Sequence, residues 1–144
     1  MNKITLSVVL ILLCNACGGD PSGESTNITL YNLSGLPIEL QQFSGGEYRS
    51  STFINHNENE EYHLQKDLGG IGSYLPPFDV YIDSIQIIYG EIASIWHTNA
   101  DTQVVSKSLL LKSSYQGGKV KDGLYEFTYT FTEDDFQEAV DFGD

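Results

Sequence analysis

Apolar and polar residues alternate with a period of two along most of the chain from Asn27 onward, the signature of half-buried strands. Ile28 and Leu30 alternate with Thr29 and Tyr31, Leu33-Ser34-Gly35 interrupts the pattern, and Ile38 and Leu40 then alternate with Glu39 and Gln41. A three-residue turn ending in Gly35 predicts a bulged hairpin, with Leu30 opposite Ile38 and Ile28 opposite Leu40. A second hairpin is expected about Gly90-Glu91, whose Gly-X pair suits a two-residue turn. That turn sets Tyr89 beside Ile92 and Ile85 beside Trp96, making Trp96 a core residue. The opposite face, with Gln86, Ile88, Ala93, Ile95 and His97, is half polar, which suits a hairpin covered on both sides. The strongest strand is Leu124 to Thr132, where Tyr125, Phe127, Tyr129 and Phe131 point one way and Glu126, Thr128 and Thr130 the other.

Weaker strand patterns cover Tyr48 to Ile54, Glu60 to Lys66, Phe78 to Ile82, Val104 to Ser106 and Leu109 to Tyr115. Turns rich in Gly and Asn punctuate them at Gly45-Gly46, Asn57-Glu58-Asn59, Gly69-Gly70 and Gly117-Gly118. Only the C-terminal end reads as helix. Thr132-Glu133-Asp134-Asp135 has the form of a capping box, and Phe136, Ala139 and Val140 follow on one face. The expected fold is all-β: an antiparallel β-sandwich or barrel of about eight short strands with a short C-terminal helix.

The first residues obey a different rule. Lys3 precedes a largely apolar, uncharged run from Ile4 to Leu13, too short to span a bilayer and of the length of a signal-peptide core. Cys14-Asn15-Ala16-Cys17-Gly18 follows, and Leu13, Ala16 and Cys17 in this setting resemble the lipobox of bacterial lipoproteins. Cys14 and Asn15 depart from the enterobacterial form, and the Cys-x-x-Cys resembles that of small lipoproteins of Bacteroidota. The Asn-x-Ser-Gly stretch at Asn32 to Gly35 and the strand-helix junction from Tyr125 to Asp135 also resemble those proteins in general character. The resemblance implies a signal peptide over residues 1–16, a lipid on Cys17, a tether over 17–26 and one sandwich domain over 27–144. It implies attachment to the bacterial outer membrane, facing the periplasm or the cell surface, and no catalytic residue. A redox pair at Cys14 and Cys17 would need a βαβ setting that is absent from the pattern, and zinc would need further ligands.

Composition narrows function by exclusion. The 144 residues hold 7 Lys+Arg against 20 Asp+Glu, a net charge of −13, which opposes nucleic acid and anionic lipid headgroups alike. Loss of residues 1–16 takes Lys3, the one charge they carry, and leaves 128 residues at −14. Gly-x-Ser-x-Gly, His-Glu-x-x-His and Gly-Lys-Ser/Thr motifs do not occur, and Gly69-Gly70-Ile71-Gly72-Ser73 lacks the lysine of a phosphate loop. The His56 to His63 cluster reads as a polar hairpin tip before a metal site, and the acidic C-terminal end as a solvated helix face. Neither a cofactor nor a metal is expected. Tyr74-Leu75-Pro76-Pro77-Phe78 is read first as an apolar plug over one end of the sandwich, with Tyr74 and Phe78 the candidate ligand contacts should it instead lie exposed.

Two function classes follow: a lipid-anchored, non-catalytic module that binds an envelope protein or a glycan, and an immunity or inhibitor lipoprotein whose acidity steers a basic toxin or hydrolase toward it. The lipid assignment has a direct check. Radiolabelled palmitate fed to the producing bacterium should enter the wild-type protein and be absent from Cys17→Ser; label in the variant would refute acylation at Cys17.

Overall fold

The computed structural model describes residues 24–65, 77–78, 81–98 and 107–141. Nine strands form two sheets that stack face to face. They are β1 Ser25–Asn32, β2 Ile38–Ser44, β3 Glu47–Ile54, β4 Asn59–Gln65, β5 Ser84–Tyr89, β6 Ala93–Thr98, β7 Gln116–Lys121, β8 Leu124–Phe131 and β9 Val140–Asp141. One sheet runs β4-β1-β8-β7 and the other β3-β2-β5-β6-β9, so the arrangement is an open sandwich. One pairing departs from the antiparallel expectation: β1 and β8 run parallel, with Ile28 beside Phe127 and Leu30 beside Tyr129.

The alternating pattern decides which residues face inward. On the four-stranded sheet Ile28, Leu30, Phe127, Tyr129 and Phe131 are buried, and on the five-stranded sheet Ile38, Leu40, Ile54, Ile85, Ile87 and Tyr89 meet them. Tyr129 packs against Phe131 and Tyr115 with ring centres 4.9 and 5.4 Å apart, separations at which tilted aromatic pairs attract. Helix α1, Glu133–Gln137, starts as expected: the Thr132 backbone N–H donates to Asp135 Oδ2 at 2.6 Å and its hydroxyl donates to the same oxygen at 2.8 Å. Phe136 packs from this short helix onto Tyr89, 5.6 Å between ring centres.

Four expectations are corrected. β1 and β2 do not form a hairpin; β1 pairs with β4 and β8, β2 with β3 and β5, and the chain crosses between sheets at Leu33 to Pro37. The buried Asn32 makes the crossing possible. Its amide donates to the carbonyls of Leu36 and Ile54 at 2.7 and 2.8 Å, and its oxygen accepts from the Ser34 backbone N–H and hydroxyl. Leu109 to Tyr115 is not a strand but a turn followed by a 3-10 helix, Lys112–Ser114. Ser108 accepts from the Leu110 N–H, and Ser114 from the Ser108 N–H, so side chains satisfy donors that a strand would have paired. Phe78 and Ile82 are buried in loop, not in a strand. Gly117-Gly118 lies inside β7 and is no turn. Gly117 has φ +126°, and a Cβ there would sit 2.1 Å from the carbonyl oxygen of Glu126 on β8. The hairpin turns instead at Asp122-Gly123. The expected strand at Val104 to Ser106 lies outside the described residues.

The facing of β8 can be measured. Phe127→Ala should lower unfolding free energy by roughly 3–5 kcal/mol in urea titrations, whereas Thr128→Ala on the outer side should cost below about 1 kcal/mol.

Candidate functional site

The β5–β6 hairpin determines which surface the protein presents. Gly90 and Glu91 both take positive φ, +56° and +63°, and the Ile92 N–H donates to the Tyr89 carbonyl. Ile92 is an additional loop residue, so Tyr89 pairs with Ala93 and Ile85 with His97. A slip of one residue exchanges the two faces of a strand. Ala93 and His97 therefore point into the core, and Trp96, expected inside beside Ile85, stands on the outer face at 40% exposure.

Register then lays out that outer face. Ser51, Gln41, Gln86 and Trp96 are successive cross-strand partners over β3, β2, β5 and β6. On one side of this row lie Tyr48, Phe43, Ser84 and Thr98, and on the other Phe53, Glu39, Ile88 and Ser94. Small Ser84 lets the Phe43 and Trp96 rings lean together to 4.9 Å, and Tyr48 meets Phe43 edge-on at 6.0 Å. Tyr48 and Phe53 are 56% and 70% exposed. The result is an aromatic ridge beside a floor of amides and hydroxyls. Gln41 donates to Glu39 Oε1 and Gln86 to Ser94 Oγ, both at 3.1 Å, which fixes how the two amides lie.

The hairpin that carries Phe43 and Tyr48 is pinned at its tip. The Gly45 N–H donates to Asp83 Oδ2 at 2.6 Å, the Ser84 hydroxyl to Asp83 Oδ1 at 2.8 Å, and the Asp83 N–H to the Phe43 carbonyl at 3.1 Å. The bonds from Gly45 and Ser84 hold the Asp83 carboxyl below its usual range. Behind the tip, Gln42, Ser44, Arg49, Ser50, Tyr81 and Ile82 line an open pocket of about 480 Å³.

Groups capable of acid–base chemistry are collected elsewhere and are engaged. His97 is buried, and its Nδ1 accepts the Leu109 N–H at 3.0 Å, which places the ring proton on Nε2. Asp135 Oδ2 takes Lys107 Nζ at 2.8 Å in addition to both Thr132 donors, and Lys107 also lies 4.9 Å over the Tyr129 ring. These groups fasten the Lys107 to Tyr115 segment and α1 to the sandwich. Burial pulls the His97 pKa down to about 4 against the charges of Asp135 and Glu138, which favour imidazolium; Lys107 adds a smaller push downward.

Phe78 is buried and meets Tyr62 edge-on at 6.2 Å, the arrangement of a plug. Tyr74 and Cys17 lie outside the described residues. The His56–His63 segment is not the hairpin tip expected, because β3 and β4 belong to different sheets and the chain crosses between them here; His56 Nδ1 accepts the Gly35 N–H and His63 Nδ1 contacts Asn27 Oδ1 at 2.9 Å. Among the described residues, no three His, Cys, Asp or Glu side chains group as a metal site, and no helix is long and apolar enough to cross a membrane. Phe43 and Tyr48 were not singled out by sequence pattern, although two aromatics flanking a Gly-Gly turn next to paired glutamines mark the place. Comparison with protein-family models, curated proteins and solved structures finds no match to this chain.

The buried imidazole makes stability depend on pH. An unfolded histidine titrates near about 6.5, so between about 6.5 and 4 the unfolded chain binds a proton that folded His97 refuses. The contribution is fully present above that window and is lost as pH falls through it, on the order of 3 kcal/mol. Urea unfolding across the window should show a steeper acid loss for wild type than for His97→Gln; parallel slopes would contradict the burial of a neutral ring.

Proposed function

We propose that this protein is a non-catalytic binding module, held to the bacterial outer membrane by a lipid on Cys17 and contacting its ligand through the outer face of the five-stranded sheet. The observation that carries the reading is the exposed ridge of Tyr48, Phe43 and Trp96 on a face whose other positions are amides, hydroxyls, Phe53, Ile88 and Glu39. Rigid, partly exposed aromatics are costly to leave in water and are the side chains that dominate contact energy when covered. They sit on strands rather than on a loop, so the contact surface is ordered before the ligand arrives. Attachment at Cys17 is supported by the signal-like run before it; the tether expected over 17–26 ends at Glu24, because β1 starts at Ser25 and Thr26 is buried in it. The acidity of the chain supports the rival reading, an immunity or inhibitor protein that neutralises a basic partner.

A photo-crosslinking residue tests the choice of face in living cells. Placed at Ser51, beside the ridge, it should give an adduct with an envelope component that disappears when Trp96→Ala is added. Placed at Glu126, on the outer side of the other sheet, it should not. Adducts at Glu126 with none at Ser51 would move the binding surface to the four-stranded sheet.

A further inference from the structure

We infer that the ligand of the outer face is an uncharged polysaccharide, lying across the strands with a sugar ring stacked on Trp96 and its hydroxyls bonded by Gln41 and Gln86; this rests on the binding-module reading above. Three features of the face point the same way.

The first is its charge. The chain carries −13, yet among the described residues the paired positions of the face hold a single carboxylate, Glu39, and that group already accepts a hydrogen bond from Gln41. Arg49 at the margin is paired with Glu47 at 3.3 Å. Glu47 and Glu91 lie at the rim of this sheet, at the start of β3 and in the β5–β6 turn, while the exposed Glu58, Glu61, Glu133, Asp134 and Glu138 are on the β3–β4 connection, the four-stranded sheet, and α1 with its C-cap. A basic protein would be steered to those carboxylates, and an anionic glycan would be repelled by the molecule as a whole. What matches a neutral face on an acidic protein is a neutral ligand.

The second is the chemistry of the floor. Sugar hydroxyls both donate and accept, and so do the side-chain amides of Gln41 and Gln86 and the hydroxyls of Ser51 and Ser94. The bonds from Gln41 to Glu39 and from Gln86 to Ser94 each use one of two amide N–H donors, holding the amide plane while leaving the second for a ligand. Pyranose rings have an apolar face of C–H bonds and an edge of hydroxyls. A half-exposed indole beside fixed amides offers a partner to each.

The third is length. Tyr48 on β3 meets Phe43 at 6.0 Å and Phe43 meets Trp96 on β6 at 4.9 Å between ring centres, so the three rings form one continuous ridge over four strands. A ridge of that extent serves a chain of sugars better than one ring.

Trp96 is the only tryptophan, so its fluorescence reports on the site without a label. The intact protein should be retarded in native gels containing at least one of starch, mixed-linkage β-glucan, xylan or galactomannan, and not by polygalacturonate. The same polysaccharide should shift Trp96 emission, with an affinity that changes less than about twofold between about 50 and 500 mM NaCl. Trp96→Ala and Gln86→Ala should each weaken binding by about tenfold or more without lowering the melting temperature, Trp96→Phe should keep part of it, and Val120→Ala on β7 should change nothing. Failure of all four neutral polysaccharides overturns the inference, as does retardation that survives Trp96→Ala or is abolished by salt. A protein adduct at Ser51 together with no polysaccharide binding would leave the binding-module reading standing and remove this one; absence of both would remove both.

Discussion

The fold depends on one buried amide. Between Asn32 and Ile38 the chain must leave one sheet and enter the other; the Leu33 N–H reaches the Phe131 carbonyl and the Pro37 carbonyl accepts from Gly90, but the Leu36 and Ile54 carbonyls and the Ser34 N–H are met at that corner by a side chain. Asn32, fully buried, supplies both kinds of bond: its N–H groups satisfy the carbonyls of Leu36 and Ile54, and its oxygen receives Ser34 twice. An unsatisfied buried polar group costs about 1–3 kcal/mol, so a corner with several of them would cost a sizeable part of a small domain's stability. Because Asn32 holds the end of β1 to the end of β3, it also sets where β2 begins. The register of β2 against β5, and with it the pairing of Gln41 with Gln86, follows from that start.

This corner also explains why only part of the fold was legible in the sequence. Alternation placed Ile28, Leu30, Ile38 and Leu40 correctly on inward faces, since that pattern only requires a core on one side of each strand. It could not say whether β1 and β2 bury those faces side by side or across from each other, because both arrangements give identical periodicity. The choice lies in a side-chain bond between Asn32 and Ile54, distant in sequence. β8 was legible almost whole, with four aromatics in strict alternation, and so was the Thr132–Asp135 cap, whose bonds are local. Gly117 misled because a glycine inside a strand looks like a turn until the neighbouring backbone is known; Asp122-Gly123, the better turn signal, lay five residues on.

The proposed binding face was hidden by a single residue. Counting Gly90-Glu91 as the whole turn buries Trp96, and admitting Ile92 to the loop exposes it. Nothing in the alternation of Ile92, Ser94 and Trp96 against Ala93, Ile95 and His97 decides between the two, as each set holds both large and small side chains. The His97 ring decides it in the folded protein. An imidazole inside needs a partner, and the Leu109 N–H provides one. The indole outside keeps Phe43 company and remains half open to water.

That exchange divides the molecule's chemistry in two. With His97 inward, its bond to Leu109 serves the Lys107 to Tyr115 segment, and low dielectric keeps its ring neutral across the physiological range. With Trp96 outward, the exposed face gains stacking surface and gains no titratable group. Had the register gone the other way, the outer face would carry a histidine beside Gln86 and Ile88, a surface whose charge changed with pH. As folded, the face offers aromatic area and amide hydrogen bonds, weakly sensitive to salt, with Glu39 its titratable group among the described residues. Binding to a surface of that kind would depend little on ionic strength, which suits the proposed place on a bacterial envelope, where the medium is set by the surroundings and not by the cell.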